Sequence, residues 1–185
     1  MHMKRIATLT AVAAAVILSA CSSGPSGSMM TAAAASSGPT ATAVLEPTKG
    51  NTTAGTVTFQ QRGDRVMVTT KVTGLKPNQE HGMHAHEKGD CSSGDGMSTG
   101  GHFNPSGKPH GPQESEHHAG DMPALKADAN GNANASFELS GVTVGSGSAD
   151  LVGRGLIVHA APDDYKTQPT GNSGARIACG VIKQG

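Results

Sequence analysis

Short segments with an apolar residue at every second position limit the folds open to this chain more than any other feature. In one such segment Val66, Val68 and Val72 lie on one face, while Thr69 and Lys71 lie on the other. This period of two is typical of a half-buried β-strand, and no segment shows the 3.6-residue apolar period of a helix. The 26 glycines and an aromatic content of 2% favour short strands with tight turns. The sequence therefore predicts an all-β antiparallel sandwich or barrel.

Eight strands are expected from these patterns. They lie near residues 42–46, 56–59, 65–72, 82–87, 124–128, 133–139, 155–160 and 175–182. Asn130-Gly131 separates two of them, and this dipeptide is the strongest short signal for a β-hairpin turn. Residues 88–123 and 162–174 show no strand pattern. Loops of this length in a compact domain are usually functional or disordered, so we expect two long functional loops.

The first 20 residues have the pattern of a secretory signal peptide. A basic start is followed by an uncharged apolar run, 6–18, which is shorter than the ~20 apolar residues that span a bilayer. The run ends in Leu18-Ser19-Ala20-Cys21, which resembles a bacterial lipobox. Our hypothesis is that Cys21 is lipidated and anchors the protein to a membrane on the periplasmic side of the bacterial cell envelope. The alternative is ordinary cleavage nearby, with Cys21 lost or left free.

Residues 21–43 contain no charged side chain and consist almost wholly of Ser, Ala, Gly, Thr and Pro. Such a segment buries too little apolar surface to fold, so we interpret it as a flexible tether. Residues 44–185 are then the folded domain.

The charges of the chain are balanced, since basic and acidic residues number 14 each. A nucleic-acid-binding protein would show a basic stripe, so this balance argues against that class.

The three cysteines make an odd number for a secreted chain. If Cys21 carries lipid, Cys91 and Cys179 remain as an even pair that could form a disulfide outside the cytoplasm. The alternative is that both are metal ligands. Neither belongs to a Cys-x-x-Cys pair, which favours the disulfide.

Histidines are concentrated in one part of the sequence, with seven of the nine between residues 81 and 118. His84 and His86 are two residues apart, so on a strand they share one face and could bind one metal ion. Alone, such a pair is weak evidence. His159 ends an apolar strand, where a lone histidine is more often a satisfied core residue than a ligand.

The predicted loop 88–123 carries a second candidate metal site. Three imidazoles and a carboxylate suit tetrahedral Zn²⁺, and the loop supplies His102, His110, His118 and Asp121. A merely polar, solvated loop is the alternative, since acidic residues lie beside these histidines.

Five segments, taken together and in order, resemble the copper/zinc superoxide dismutase family. They are HGMHAHE at 81–87, GHFNP at 101–105, HAGD at 118–121, GRGLIVH at 153–159 and GNSGARIACGVI at 171–182. Each is weak alone, but five in the same order are specific, and they span most of 44–185. The resemblance implies an eight-stranded Greek-key β-barrel, also described as a sandwich, which agrees with the strand count.

The resemblance also implies a set of metal ligands. Copper would be bound by His84, His86, His102 and His159. Zinc would be bound by His102, His110, His118 and Asp121, so that His102 bridges both metals as an imidazolate. His117 is a neighbouring competitor, but His118 keeps the His-x-x-Asp spacing. His81 matches a histidine that is structural in the family.

Further roles follow from the same resemblance. Cys91 and Cys179 match the disulfide within the subunit, and Arg176 matches the arginine that docks the anion beside copper. Asp163 matches a carboxylate that links the two metal sites through hydrogen bonds. His102 would carry a proton to the product. A part for Lys166 in guiding anions stays open.

The function implied is that of an antioxidant enzyme, a superoxide dismutase that converts superoxide to O2 and H2O2 by one-electron cycling of copper. Zn²⁺ has no redox chemistry and would hold the bridge in place. The alternative is a non-enzymatic copper/zinc-binding envelope lipoprotein, a metal carrier or buffer, which would need the histidines but not Arg176. A structural envelope protein with zinc alone would leave the copper positions idle. Oligomeric state differs within the family, and a homodimer is compatible with it.

Overall fold

The computed structural model describes residues 38–185, which form nine strands, one short 3₁₀ helix at Met97–Thr99 and no α-helix. The strands are β1 (Thr40–Pro47), β2 (Ala54–Arg62), β3 (Arg65–Thr73), β4 (Glu80–His81), β5 (Met83–His86), β6 (Leu125–Lys126), β7 (Ala133–Ser140), β8 (Gly155–His159) and β9 (Arg176–Gln184). Within this range no helix has the length and apolar character needed to cross a membrane. The predicted signal peptide and Cys21 lie outside the described residues.

The strands follow a Greek-key order. Seven of them form one antiparallel sheet in the order β5-β8-β9-β1-β2-β3-β7, and β4 pairs with β6. β5 corresponds to the strand predicted near 82–87, whereas β4 lies just before that range; only Gly82 separates the two, so they count as one interrupted strand of the barrel. The turn at Asn130-Gly131 joins β6 to β7, and the link from β3 to β4 binds this turn through hydrogen bonds from Leu75 to Gly131 and from Asn78 to Asp128. The predicted eight-stranded antiparallel barrel is therefore confirmed.

Side chains alternate between the barrel interior and the solvent. In β3, Val66, Val68 and Val72 are fully buried, and on the neighbouring strands Phe59 of β2 pairs with Val68 and Leu139 of β7 pairs with Val66, so these side chains form one apolar surface facing the interior. Burying a side chain of this size stabilises the fold by about 1.5–3 kcal/mol. This core holds β5 and β8 in place, and these strands carry three of the candidate ligands.

The first strand begins earlier than the sequence predicts. Residues 40–43, which we interpret from composition as the end of the tether, lie in β1. Ala41 and Ala43 are fully buried and pair with both β2 and β9. Alanine on the core face gives little apolar contrast against threonine, which is why composition places the start of the domain at Val44.

Two long loops leave the barrel beside β5 and β8. The first, between β5 and β6, is joined to β9 by the predicted disulfide between Cys91 and Cys179, whose Cα atoms are 5.9 Å apart. The second connects β8 to β9. Isolated bridges pair His86 with His102 and His84 with Asp121, which draws the first loop against β5.

Candidate metal centre

Four buried imidazoles meet where β5, β8 and the first loop come together. His84 and His86 belong to β5, His159 ends β8, and His102 comes from the loop. One ring nitrogen from each lies within 4.8 Å of one from every other member. We call this group the first cluster; it brings together all four residues of the predicted copper site.

One nitrogen of each imidazole in the first cluster has no hydrogen-bond partner. These atoms are Nδ1 of His84 and Nε2 of His86, His102 and His159. The opposite nitrogens of His84, His86 and His159 bind Asp163, the Gly100 carbonyl and the Gly174 carbonyl, at 2.6, 3.0 and 3.2 Å. Buried polar atoms are rarely left unpaired. Four converging imidazole lone pairs suit a transition metal such as copper.

A second cluster consists of His102, His110, His118 and Asp121, which are the residues of the predicted zinc site. Oδ1 of Asp121 lies 2.9, 3.0 and 3.3 Å from Nδ1 of His102, His110 and His118, respectively. Nδ1 of His118 lies 3.4 Å from that of His102. Zinc–ligand bonds of about 2.0–2.1 Å in a tetrahedron place ligand atoms roughly 3.3 Å apart. The second cluster therefore has the dimensions of a tetrahedral zinc site.

His102 belongs to both clusters through different ring atoms. Its Nδ1 lies 2.9 Å from Asp121, while its Nε2 is one of the unpartnered nitrogens of the first cluster. A single imidazole can thus ligate one ion on each side.

Asp163 connects the two clusters from behind. Its Oδ2 accepts a hydrogen bond from Nε2 of His84 at 2.6 Å, and its Oδ1 accepts one from Nε2 of His110 at 2.9 Å. Gly171 lies directly against this carboxylate with a φ of +64°, and a Cβ there would collide with Oδ1. A carboxylate behind each histidine fixes the nitrogen that faces the metal.

Burial keeps three imidazoles of the first cluster neutral, those of His86, His102 and His159. It lowers the pKa of His86 to about 2, that of His159 to about 3 and that of His102 to about 4. Nearby positive charge, including Arg176, lowers the pKa values of His86 and His159 further. Neutral imidazole is the form that binds metals.

The second cluster is electrostatically different because it contains a carboxylate. Burial alone would raise the pKa of Asp121, but hydrogen bonds from His102, His110 and His118 hold it well below its usual range. On His110 burial has the opposite effect and would lower the pKa, but the hydrogen bonds and charges of Asp121 and Asp163 raise it to about 9. Asp121 therefore stays ionised and gives the second cluster an anionic ligand suited to a divalent cation, whose binding would displace the proton from His110.

Arg176 lies at the start of β9 and is fixed against the first loop. Its Nη1 donates to the Gly96 carbonyl at 2.7 Å and to Oγ1 of Thr99 at 2.8 Å, and its Nη2 donates to the Gly100 carbonyl at 2.8 Å. The same Gly100 carbonyl accepts from Nδ1 of His86. A guanidinium has five N–H donors, so Nε and one donor of Nη2 stay available for an anion.

Two histidines near the clusters have other roles. The ring of His117 is only partly buried, and its Nδ1 donates to the His118 carbonyl at 2.6 Å; it does not join the second cluster. His81 is buried and donates from Nδ1 to the His159 carbonyl at 2.8 Å, which supports the end of β8. No local pattern marks Thr99, Gly100 or Gln168 in the sequence, because each contacts a residue far along the chain: Arg176 for Thr99 and Gly100, and His110 for Gln168.

Comparisons with known proteins agree with this geometry. The family model described as copper/zinc superoxide dismutase (SODC) matches residues 53–182. The chain is 43% identical over 123 residues to superoxide dismutase [Cu-Zn] 2 of Aquifex aeolicus (strain VF5), covering 64% of this chain and 72% of that protein. It is 41% identical over 150 residues to superoxide dismutase [Cu-Zn] of Paramecium bursaria Chlorella virus 1, covering 77% and 76%. A crystal structure of the clock protein EA4 matches with a TM-score of 0.71 at 39% identity, covering 78% of this chain and 93% of that one.

Proposed function

The chain belongs to the copper/zinc superoxide dismutase family, and we propose that its two buried clusters are the copper and zinc sites of that enzyme. Copper would be held by His84, His86, His102 and His159. Zinc would be held by His102, His110, His118 and Asp121. The protein is an oxidoreductase that converts superoxide to O2 and H2O2 with copper and zinc as cofactors. The convergence of unpartnered nitrogens on one side of His102, with a tetrahedral group on the other, carries the assignment.

Copper, when bound, supplies one-electron redox chemistry, and zinc supplies a fixed positive charge without redox chemistry. The protein's own residues bind the substrate and handle protons. Arg176 shares the Gly100 carbonyl with His86 of the first cluster, and its two remaining N–H groups would bind the superoxide anion. Its fixed charge in this position also raises the rate at which anions arrive.

His102 is the residue placed to move a proton. Contact with Asp121 on the Nδ1 side keeps the ring oriented, so that Nε2 always faces the first cluster. Nε2 would hold a proton and release it to the peroxide product, with solvent supplying the other. Asp163 acts behind the ligands by holding the ring nitrogens of His84 and His110 in place.

Metal analysis of three variants tests the assignment. His86→Ala should lose copper and keep zinc, His110→Ala should lose zinc and keep copper, and His102→Ala should weaken both. The measurement is metal content per chain by mass spectrometry after dialysis against both ions. If His86→Ala keeps stoichiometric copper, the first cluster is not the copper site.

We also propose that Cys21 is lipidated and anchors the enzyme to the periplasmic side of a bacterial cell envelope. The support is the lipobox-like Leu18-Ser19-Ala20-Cys21, which follows a basic start and an apolar run typical of a signal peptide. Cys21→Ala should move the protein from the membrane to the soluble envelope fraction, while Ser22→Ala should not. Equal partitioning of the two variants would contradict the anchor.

A homodimer is a further proposal, and two exposed hydrophobic side chains are candidate contacts for it. Val44 on β1 is 57% exposed and Met97 is 60% exposed. An interface of standard size buries about 800 Å² on each partner. Light scattering across a range of concentrations should give twice the chain mass, and Val44→Asp should shift the protein toward monomer. A monomer mass at every concentration would contradict the dimer.

A further inference from the structure

The segment that carries His110 has almost no backbone hydrogen bonding of its own. His110 and Gly111 lie between Pro109 and Pro112, and proline has no N–H to donate. Only two N–H groups are therefore available over these four residues. That of Gly111 is bound by Oδ2 of Asp121 at 3.2 Å. The position of His110 depends on what binds its own N–H and carbonyl.

One side chain from the other long loop binds both groups. The N–H of His110 donates to Oε1 of Gln168 at 2.8 Å, and Nε2 of Gln168 donates to the His110 carbonyl at 2.9 Å. The two residues are 58 positions apart. Within the described part of the chain these are the only hydrogen bonds of the His110 main chain. A primary amide that binds N–H and C=O of the same residue fixes both its position and its rotation.

The loop that provides Gln168 is itself held against the second cluster. Asp163 accepts from Nε2 of His110 at 2.9 Å and from the N–H of Tyr165 at 2.7 Å. The Tyr165 ring lies parallel to the His110 imidazole, with an interplanar angle of 3° and centroids 6.4 Å apart. Its hydroxyl accepts from the N–H of Ala124 at 2.8 Å. Gln168 therefore extends from an anchored loop, and its amide can act as a fixed support.

We propose that Gln168 is a positioning residue for zinc, which holds the main chain of His110 so that Nδ1 converges with the other members of the second cluster. The inference rests on the proposed zinc site. Gln168 is not a member of the second cluster, and it acts through His110. Loss of an outer partner of a metal ligand typically weakens metal binding about 10–100-fold. Because the amide of Gln168 binds only the main chain of His110 and neither of its ring nitrogens, we expect the lower end of that range.

The test removes the amide group of Gln168 while keeping the length of the side chain. Gln168→Met keeps the volume and removes both hydrogen bonds. Gln184→Met is the matched control, since Gln184 is also exposed and its amide forms no hydrogen bond within the described residues. Zinc affinity of the copper-free proteins is measured by competition with a chromophoric chelator. The visible spectrum of the Co²⁺ forms reports the geometry of the ligands.

We expect Gln168→Met to bind zinc about tenfold more weakly than the parent and to show an altered Co²⁺ spectrum. Its copper affinity should equal that of the parent. Gln184→Met should match the parent in zinc affinity and in the Co²⁺ spectrum. Equal zinc affinity in Gln168→Met and the parent would overturn the proposal. So would a loss of zinc and copper affinity in equal measure with a lower melting temperature of the metal-free protein, since that is general destabilisation. If Gln168→Met does not fold, Gln168→Asn, whose shorter side chain cannot span both groups, replaces it. Failure of the parent to bind zinc would instead contradict the proposed function.

Discussion

Asp163 accepts a hydrogen bond from Nε2 of His84 at 2.6 Å, so only Nδ1 of that ring faces the first cluster. The other histidines of that cluster present Nε2. The carboxylate thus determines which nitrogen of His84 is offered to the metal, and its second oxygen does the same for His110.

Replacing this carboxylate should affect both sites. In Asp163→Asn one end of the side chain becomes a donor, so it accepts well from only one of the two imidazoles. We expect affinity for at least one metal to fall about 10–100-fold with the fold retained. The measurement is competition titration with each ion. Asp164→Asn is the control, because the neighbouring carboxylate is exposed and binds only its own loop; equal affinities in the two variants would contradict this role for Asp163.

Arg176→Ala should keep both metals and slow the reaction. The variant lacks the two free N–H donors and the positive charge beside the first cluster, so we expect a loss of about tenfold or more at low salt and a weaker dependence on salt. Arg176→Lys should restore the salt dependence but not the full rate, because lysine cannot present a planar pair of donors. Rates are measured by direct superoxide decay. Arg62→Ala serves as the control, because Arg62 is exposed and its side chain forms hydrogen bonds only with Gln60 within the described residues. A rate in Arg176→Ala equal to that of the parent would exclude Arg176 from the mechanism.

His118→Ala and His117→Ala should separate the two neighbouring histidines. His118 places Nδ1 3.3 Å from Asp121, whereas His117 donates to a carbonyl and does not join the second cluster. Zinc content after dialysis should fall in the His118 variant and stay at one ion per chain in the His117 variant. The opposite pattern would identify His117 as the ligand.

Loss of the disulfide should destabilise the metal-free domain. Cys91 and Cys179 are 88 positions apart, and closing a loop of that length contributes about 4.6 kcal/mol on the chain-entropy account. Denaturant unfolding of the double variant Cys91→Ser with Cys179→Ser should show a free energy of unfolding lower by about this amount. A reductant should reproduce the loss in the parent and change nothing in the variant. A reductant that leaves the parent's stability unchanged would contradict the prediction.

The parts of the fold that the sequence predicts are those with a local signal. The alternation of Val66, Val68 and Val72 predicts β3, and the Asn130-Gly131 dipeptide predicts the hairpin turn. The start of β1 was missed because buried Ala41 and Ala43 contrast little with the threonines beside them. The split between β4 and β5 also has no periodic signal, since it arises where Gly82 binds the second loop through the Ala161 carbonyl.

The residues of the site likewise fall into those that a local sequence signal predicts and those that none predicts. Spacing indicates that His84 and His86 share a face, and family resemblance supplies the partners that spacing leaves open. The contact between Gln168 and His110 has neither kind of signal. It joins two irregular loops 58 positions apart, and the residues involved carry no pattern that points from one to the other.

Direct measurement of superoxide decay by residues 22–185, loaded with copper and zinc, tests the central claim. Near neutral pH and at low salt the rate constant should approach the diffusion limit of about 10⁸–10⁹ M⁻¹s⁻¹ and fall as salt is added. Decay no faster than that caused by the same concentration of free aquated copper, with both metals shown to be bound, would contradict the account. The two clusters would then store or carry metal ions without catalysing dismutation.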